Sequence, residues 1–303
     1  MTQIPTFNPT QLVDRFSEPT VFWKEHTSQT FDTFGILRLE NIRHLTKVRL
    51  PPHRKTFQDF FFITKGAFQR AKGVVEYSVK ENQLCFIPAH QITYAAPIPK
   101  HVTGFACHFN TTILDLNQYT FLRSLPLFEV GGSPIVEIPE KELPKMIYLL
   151  ERIEEEFYHP QKNQLQLIQS YLLTFFIELS RWVPHNEIQT GDRKAVVVEK
   201  FKKLIQQHVP EKITVQDYAA LLHITANHLN KCVKSITGKT ASDWINEMLI
   251  LESKVLLAQT NYSIAEIAYS LGKGDQSYFG RFFKKKTGVA PTQYRKMIEK
   301  SEL

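Results

Sequence analysis

Ser263-Ile264-Ala265-Glu266-Ile267-Ala268-Tyr269-Ser270-Leu271-Gly272, continued by Gln276-Ser277-Tyr278-Phe279-Gly280-Arg281-Phe282-Phe283-Lys284 and Thr287-Gly288, decides the fold of the last third of the chain. Ser263 is a helix-capping residue type, and Glu266 three places on offers an acidic group to the exposed amides of the first turn. Ala268 suits a point where two helices cross closely. Gly272 suits a left-handed residue that ends the first helix, and Phe279, Phe282 and Phe283 share one face of a second. The same design occurs earlier: Thr214-Val215-Gln216-Asp217-Tyr218-Ala219-Ala220-Leu221-Leu222 leads to Asn227-His228-Leu229-Asn230-Lys231-Cys232-Val233-Lys234 and Thr237-Gly238. Leu229 and Phe279 are 50 residues apart, as are Gly238 and Gly288, while Ala219 and Ala268 are 49 apart, so the second copy has one more loop residue. His223 takes the place of Gly272 and is the less comfortable left-handed residue. Each copy therefore reads as a helix-turn-helix, and Ala241 to Gln259, with Trp244, Ile245, Met248, Leu251, Val255 and Leu256 on a shared face, reads as a rigid helical spacer between them.

The polar faces of the two second helices carry Asn, Gln, Ser, Lys and Arg, the types that reach base edges in a major groove. Charge points the same way. From Arg193 to Leu303 there are 18 Lys and Arg against 10 Asp and Glu, whereas Met1 to Asp192 holds 19 against 20, so the net charge of +7 lies in the last third. A basic domain on a neutral one suits a polyanionic partner such as double-stranded DNA. Successive major-groove faces lie about 34 Å apart, so two fixed recognition helices would read adjacent grooves.

Val183 to Asp192 breaks the helical texture with Pro184 and Gly191 and is the expected linker. Before it, Met146–Tyr158 and Leu165–Trp182 are amphipathic helices, with Ile147, Leu150, Ile153 and Phe157 on one stripe and Leu165, Ile168, Leu172, Phe175, Phe176 and Leu179 on the other. They either pack on the preceding domain or offer a stripe to a second copy. Thr30 to Phe109 reads as short strands, among them Phe60–Thr64, Val74–Val79, Leu84–Pro88 and Gly104–Phe109, at the spacing of a barrel or sandwich. A length of 303 residues fits two domains. The expected organisation is thus a mainly-β barrel with two helices over 1–183, a linker at 184–192, and an all-α double helix-turn-helix domain over 193–303. No membrane span, secretory signal, metal site or cofactor motif is read, which implies a cytoplasmic chain. Cys85, Cys107 and Cys232 lack zinc spacing and read as small buried apolar residues. No nucleophile elbow, P-loop or paired-carboxylate motif appears, so an enzyme is not expected. A fused enzyme domain with reactive Cys85 or Cys107 is the competing reading.

From Val198 to Arg295 the chain resembles the AraC/XylS family of bacterial transcription regulators, most specifically in Ser263-Ile264, Ala268, Gly272, Gln276–Phe279, Arg281–Lys284, Gly288, Pro291 and Tyr294-Arg295. The resemblance implies base contacts from Asn227, Asn230 and Lys231 in the first unit and Gln276, Ser277, Gly280 and Arg281 in the second. Lys234, Lys284 and Lys285 would be phosphate partners. Lys273 departs from the pattern, where an aromatic residue is usual, and so does Gly280, where a small polar one is common. The first half resembles the cupin-like sensor domain often joined to this DNA-binding domain; Phe61–Gly66 and Leu84–Gln91 match two of its strands and His53 a pocket histidine, while the second strand histidine is either replaced by Thr93 or absent. The implied function is a sequence-specific regulator whose first domain senses a small-molecule effector or forms a homodimer, with RNA polymerase as a further partner if it activates. A ligand-independent regulator is the alternative.

Overall fold

The Phe60-Phe61-Phe62-Ile63 run has no polar alternation because its strand is covered on both faces, one by helices and the other by a second sheet. A computed structural model describes residues 6–17, 30–43, 50–128, 133–183, 193–209 and 214–301. Their contacts divide into two units, one of residues 6–50 and 54–185, the other of the described residues from 193 onward together with 51–53. The segment 184–192, expected to join the two domains, lies outside the described residues.

In the first unit, β1 (Thr6–Phe7), α1 (Pro9–Phe16), β2 (Phe34–Arg38), α2 (Leu39–Ile42), β3 (Leu50–Lys55), β4 (Gln58–Lys65), β5 (Ala67–Lys72), β6 (Val75–Lys80), β7 (Gln83–Ile87), β8 (Thr93–Ala95), β9 (Thr103–Phe109), α3 (Leu116–Ser124) and β10 (Ile135–Glu137) precede α4 (Leu143–Tyr158) and α5 (Gln164–Ser180). The strands form two five-stranded sheets, ordered β1-β3-β8-β5-β6 and β10-β7-β4-β9-β2. Ile63, Cys85 and Ile87 of the second sheet share a core with Phe68 and Val79 of the first. Phe60 and Phe62 face the other way and join Phe175 and Phe176 of α5, with Phe60 stacked on Phe175 at 5.2 Å. Close approach of β4 and β9 fixes one glycine: at Gly104, with φ +146°, an added Cβ would lie 2.0 Å from the Phe62 carbonyl oxygen.

Helices α4 and α5 pack on this sheet through Met146, Leu150, Ile153, Ile168, Leu172 and Leu179, all buried. Intramolecular packing, one of the two expectations for the stripes, is therefore what they do. Leu165 differs from its expected place: it is exposed, and with Leu167 and Ile177 it lies outside the core.

His108 of β9 stands opposite Asp59 of β4, its Nε2 2.7 Å from the Phe31 carbonyl oxygen and its ring edge-on to Phe31. Desolvation lowers its pKa to about 4, against a rise from the Phe31 carbonyl. The unfolded chain therefore takes up this proton first as pH falls. Stability of the unit should drop by about 2–3 kcal/mol between about pH 6.5 and 4 on this account alone. Urea denaturation across that range checks it, and a His108→Gln chain with the same slope as the parent would refute the assignment.

The second unit is all helical: α6 (Arg193–His208), α7 (Val215–Leu221), α8 (Ala226–Thr237), α9 (Ala241–Gln259), α10 (Ile264–Ser270), α11 (Gln276–Thr287) and α12 (Pro291–Ser301). The expected spacer matches α9 end to end, but it is more than a spacer. Ile245, Met248, Leu249, Leu251, Val255, Leu256 and Leu257 are all buried, so nearly the whole circumference is covered, and α6, α7, α8, α10 and α12 all touch it. Its burial extends to the polar Glu252 and Ser253, so α9 lies in the core of this unit and not on its surface. At its end Arg295 of α12 donates to the carbonyls of Leu257 and Tyr262, at 3.3 and 2.6 Å, satisfying groups that a helix C-terminus leaves open.

Candidate nucleic-acid interface

Both helix-turn-helix copies begin with reciprocal caps. Thr214 Oγ1 accepts from the Asp217 amide at 3.2 Å while Asp217 accepts from the Thr214 amide at 3.1 Å. Ser263 and Glu266 do the same at 3.2 and 2.7 Å, and these hydrogen bonds hold the Glu266 carboxyl below its ordinary range. Ser263→Ala should destabilise the second unit by about 1 kcal/mol, read from its thermal or urea transition. The turns also match. His223 and Gly272 are both left-handed, at φ 55° and 65°, and the next amides, Ile224 and Lys273, return to the carbonyls of Ala219 and Ala268 at 3.0 and 2.9 Å. Ala219 and Ala268 are buried at the crossings. The second helices, capped by Thr225 and Asp275, end at Gly238 and Gly288, both left-handed.

Leu229, Cys232 and Val233 of α8, and Phe279 and Phe283 of α11, are buried, and this rotation fixes what is left outside. Asn227, Lys231 and Lys234 are exposed at i, i+4 and i+7 along α8. Ser277, Arg281 and Lys284, each 50 residues later, are exposed at the same positions of α11, with Gln276 and Lys285 beside them. Each helix thus presents a polar start and a cationic end. Lys284, Lys285 and Lys286 also complement the negative end of the α11 dipole.

Three positions differ from the sequence reading. Asn230 is half-buried, and its Oδ1 accepts from the Ala241 amide at 3.1 Å, so this side chain ties α8 to the start of α9 and does not stand out with Lys231. Phe282 is half-buried, its ring 4.7 Å from the Lys273 ammonium, which takes the place of an aromatic neighbour by a cation–π contact. Gly280 is a gap in the face: an added Cβ would meet no heavy atom within 4 Å. Packing does not require it, so Gly280→Ala should stabilise α11 by about 0.5–1 kcal/mol. A melting curve measures that gain; loss of DNA affinity in the same variant would show the bare backbone in use.

His228 and Tyr278, also 50 apart and both exposed, were not singled out by sequence. The clue was available, since the repeat aligns them. His228 Nε2 lies 3.6 Å from Cys232 Sγ, and Lys273 stands 5.7 Å over the Tyr278 ring.

In the first unit Cys85 and Cys107 are buried, as is Cys232 in the second. Burial pushes the Cys85 thiol up to about 12 and the Cys107 thiol well above its ordinary value, which removes the thiolate a nucleophile needs. His53 is buried with Nδ1 2.8 Å from the Pro51 carbonyl oxygen. Thr93 is also buried, and its hydroxyl donates to Ala71. Lys55, Asp59 and Arg70 are also buried; the sequence reading missed them because β3 and β5, which carry Lys55 and Arg70, do not read as strands, and Asp59 precedes the Phe60–Thr64 run.

Two exposed, capped, cation-bearing helices on a shared central helix define a double helix-turn-helix domain. Residues 218–297 match the family model described as a helix-turn-helix domain. Among curated proteins the chain is similar to the HTH-type transcriptional regulator YisR of Bacillus subtilis, 29% identical over 143 residues, which are 47% of this chain and 49% of the relative. It is also similar to the bifunctional transcriptional activator/DNA repair enzyme AdaA of Bacillus subtilis, 32% identical over 35% of this chain and 50% of the relative. The chain spans about half the length of these two relatives. Among solved structures, ToxT from Vibrio cholerae aligns over 88% of this chain and 98% of its own, at 18% identity and a TM-score of 0.43.

Proposed function

We propose that the chain is a sequence-specific DNA-binding transcription regulator, and that α8 and α11 are its readers. The observation that carries this is the exposed triad Asn227, Lys231 and Lys234 and its repetition 50 residues on as Ser277, Arg281 and Lys284. Asn227, Lys231, Gln276, Ser277 and Arg281 address base edges, with Gly280 allowing close approach; Lys234, Lys284 and Lys285 address phosphates. Residues 1–183 form the sensing or dimerising domain, with His53 in its pocket, 184–192 the linker, and 193–303 the reader. A small molecule acting on the first domain, a homodimer, a cytoplasmic location and, for an activator, contact with RNA polymerase complete the proposal. A repair activity like that of AdaA finds no support in Cys85 or Cys107, whose thiols are buried and hard to ionise. Selection of random duplexes on the full chain tests the reading: one enriched site is expected, and equal recovery of all sequences would end it.

A further inference from the structure

The polar face of α11 carries one large aromatic side chain at its edge. Tyr278 is 49% exposed. It follows Ser277 directly and precedes Arg281 by three residues and Lys285 by seven, spacings that put it on the flank of the base-directed face. Phe279 and Phe283 hold that rotation by facing the core. The backbone under the ring is fixed as well, because the Tyr278 amide donates to Oδ1 of the capping Asp275 at 2.5 Å.

Lys273 holds this ring. Its ammonium lies 5.7 Å from the centre of the Tyr278 ring and 4.7 Å from that of Phe282, four residues further along α11. Phe282 is half-buried, and burial brings the Lys273 ammonium below its ordinary range. A cation–π contact strengthens as the cation loses water, so Tyr278 is held by more than a surface contact. The matching place in the first reader differs: His228 has a polar ring, with Nε2 3.6 Å from Cys232 Sγ. The major-groove edge of the bases offers donors, acceptors and one apolar group, the 5-methyl of thymine. A half-exposed aromatic ring beside Ser277 and Arg281 has that methyl as its apolar complement there, while Lys284 and Lys285 suit the phosphates.

We propose that Tyr278 is a further specificity-determining residue, which reads the 5-methyl group of one thymine in the major groove, and that Lys273 is the positioning residue that holds its ring for this contact. Ser277 and Arg281 select by hydrogen bonds, and Tyr278 selects by apolar burial. The proposal rests on the regulator reading and names one base that α11 recognises.

The test uses the full chain and duplexes of its selected site in which each thymine in turn is replaced by deoxyuridine. That base keeps every hydrogen-bonding group and lacks only the methyl. At one position the replacement should weaken binding about three- to tenfold, as loss of one buried methyl group predicts. Tyr278→Ala should bind that duplex and its parent alike, whereas Tyr278→Phe should keep the preference for thymine. Lys273→Met should shrink the preference at constant salt, and Lys273→Arg should retain it. A merely structural Lys273 predicts instead a lower Tm with the preference intact, which would overturn its positioning role. Loss of the preference in Tyr278→Phe would move the contact to the hydroxyl and overturn the methyl reading, as would a deoxyuridine effect that persists in Tyr278→Ala. The two readings fail differently. If no site is enriched, the regulator reading falls; a selected site without thymine, or one indifferent to every replacement, overturns this inference alone.

Discussion

Phe176→Ala is expected to destabilise the first unit by about 3–5 kcal/mol, the range for removing a buried aromatic side chain from a core that cannot fully collapse. Phe176 is fully buried. Its ring meets those of Phe60, Phe86, Phe109, Phe128 and Phe175 at centroid separations of 5.7–6.4 Å, most of them edge-on. Edge-to-face pairs add about 0.5–1.5 kcal/mol each beyond burial, so the void would be lined by rings that lose partners together. Ile177, next along α5 and 42% exposed, is the control: Ile177→Ala should change stability by no more than about 0.5 kcal/mol. Urea denaturation of both variants decides it. Similar midpoints would mean that α5 does not pack on the sheet through Phe176.

Arg281→Ala is expected to lose about 1–3 kcal/mol of specific DNA binding, or about 5- to 150-fold in Kd. Arg281 is exposed, in the middle of the polar face of α11, one turn after Ser277. A guanidinium there can pair through two N–H groups with a guanine edge, and its removal should relax choice at one position of the selected site. Lys284→Ala provides the contrast, with weakening spread evenly over sequences and a salt slope shallower by about one. Equal loss on specific and unrelated duplexes for Arg281→Ala would reassign that side chain to the phosphates.

The second unit was largely legible in the sequence because its signals are local. Thr214 with Asp217 and Ser263 with Glu266 act within one helical turn, and Gly272 carries its own backbone preference. What it did not show comes from tertiary contacts: Asn230, expected at a base edge, also accepts from the Ala241 amide of the following helix. The first unit was harder to read. Its longer strands were found from β-branched and aromatic runs, but β3 begins Leu50-Pro51-Pro52-His53 and β5 runs Ala67-Phe68-Gln69-Arg70, patterns that look like loop or surface. Their inward charges meet Asp59 of β4, four residues from Lys55 and 11 from Arg70, a pairing that follows from how the three strands are laid together and not from their residue pattern.

The glycine stops at Gly238 and Gly288 set a vocabulary size. Each reader is closed at both ends, by Thr225 or Asp275 at its start and by a left-handed glycine at its finish, which leaves 12 residues. At 1.5 Å per residue that is about 18 Å, the rise of about five base-pair steps at 3.4 Å each. On the proposed reading of DNA, one such helix alone would spell only a short word, too common in a genome to serve as an address. The buried α9 between the readers acts as punctuation: by holding two short words in one phrase, it gives their combination a rarity neither has alone.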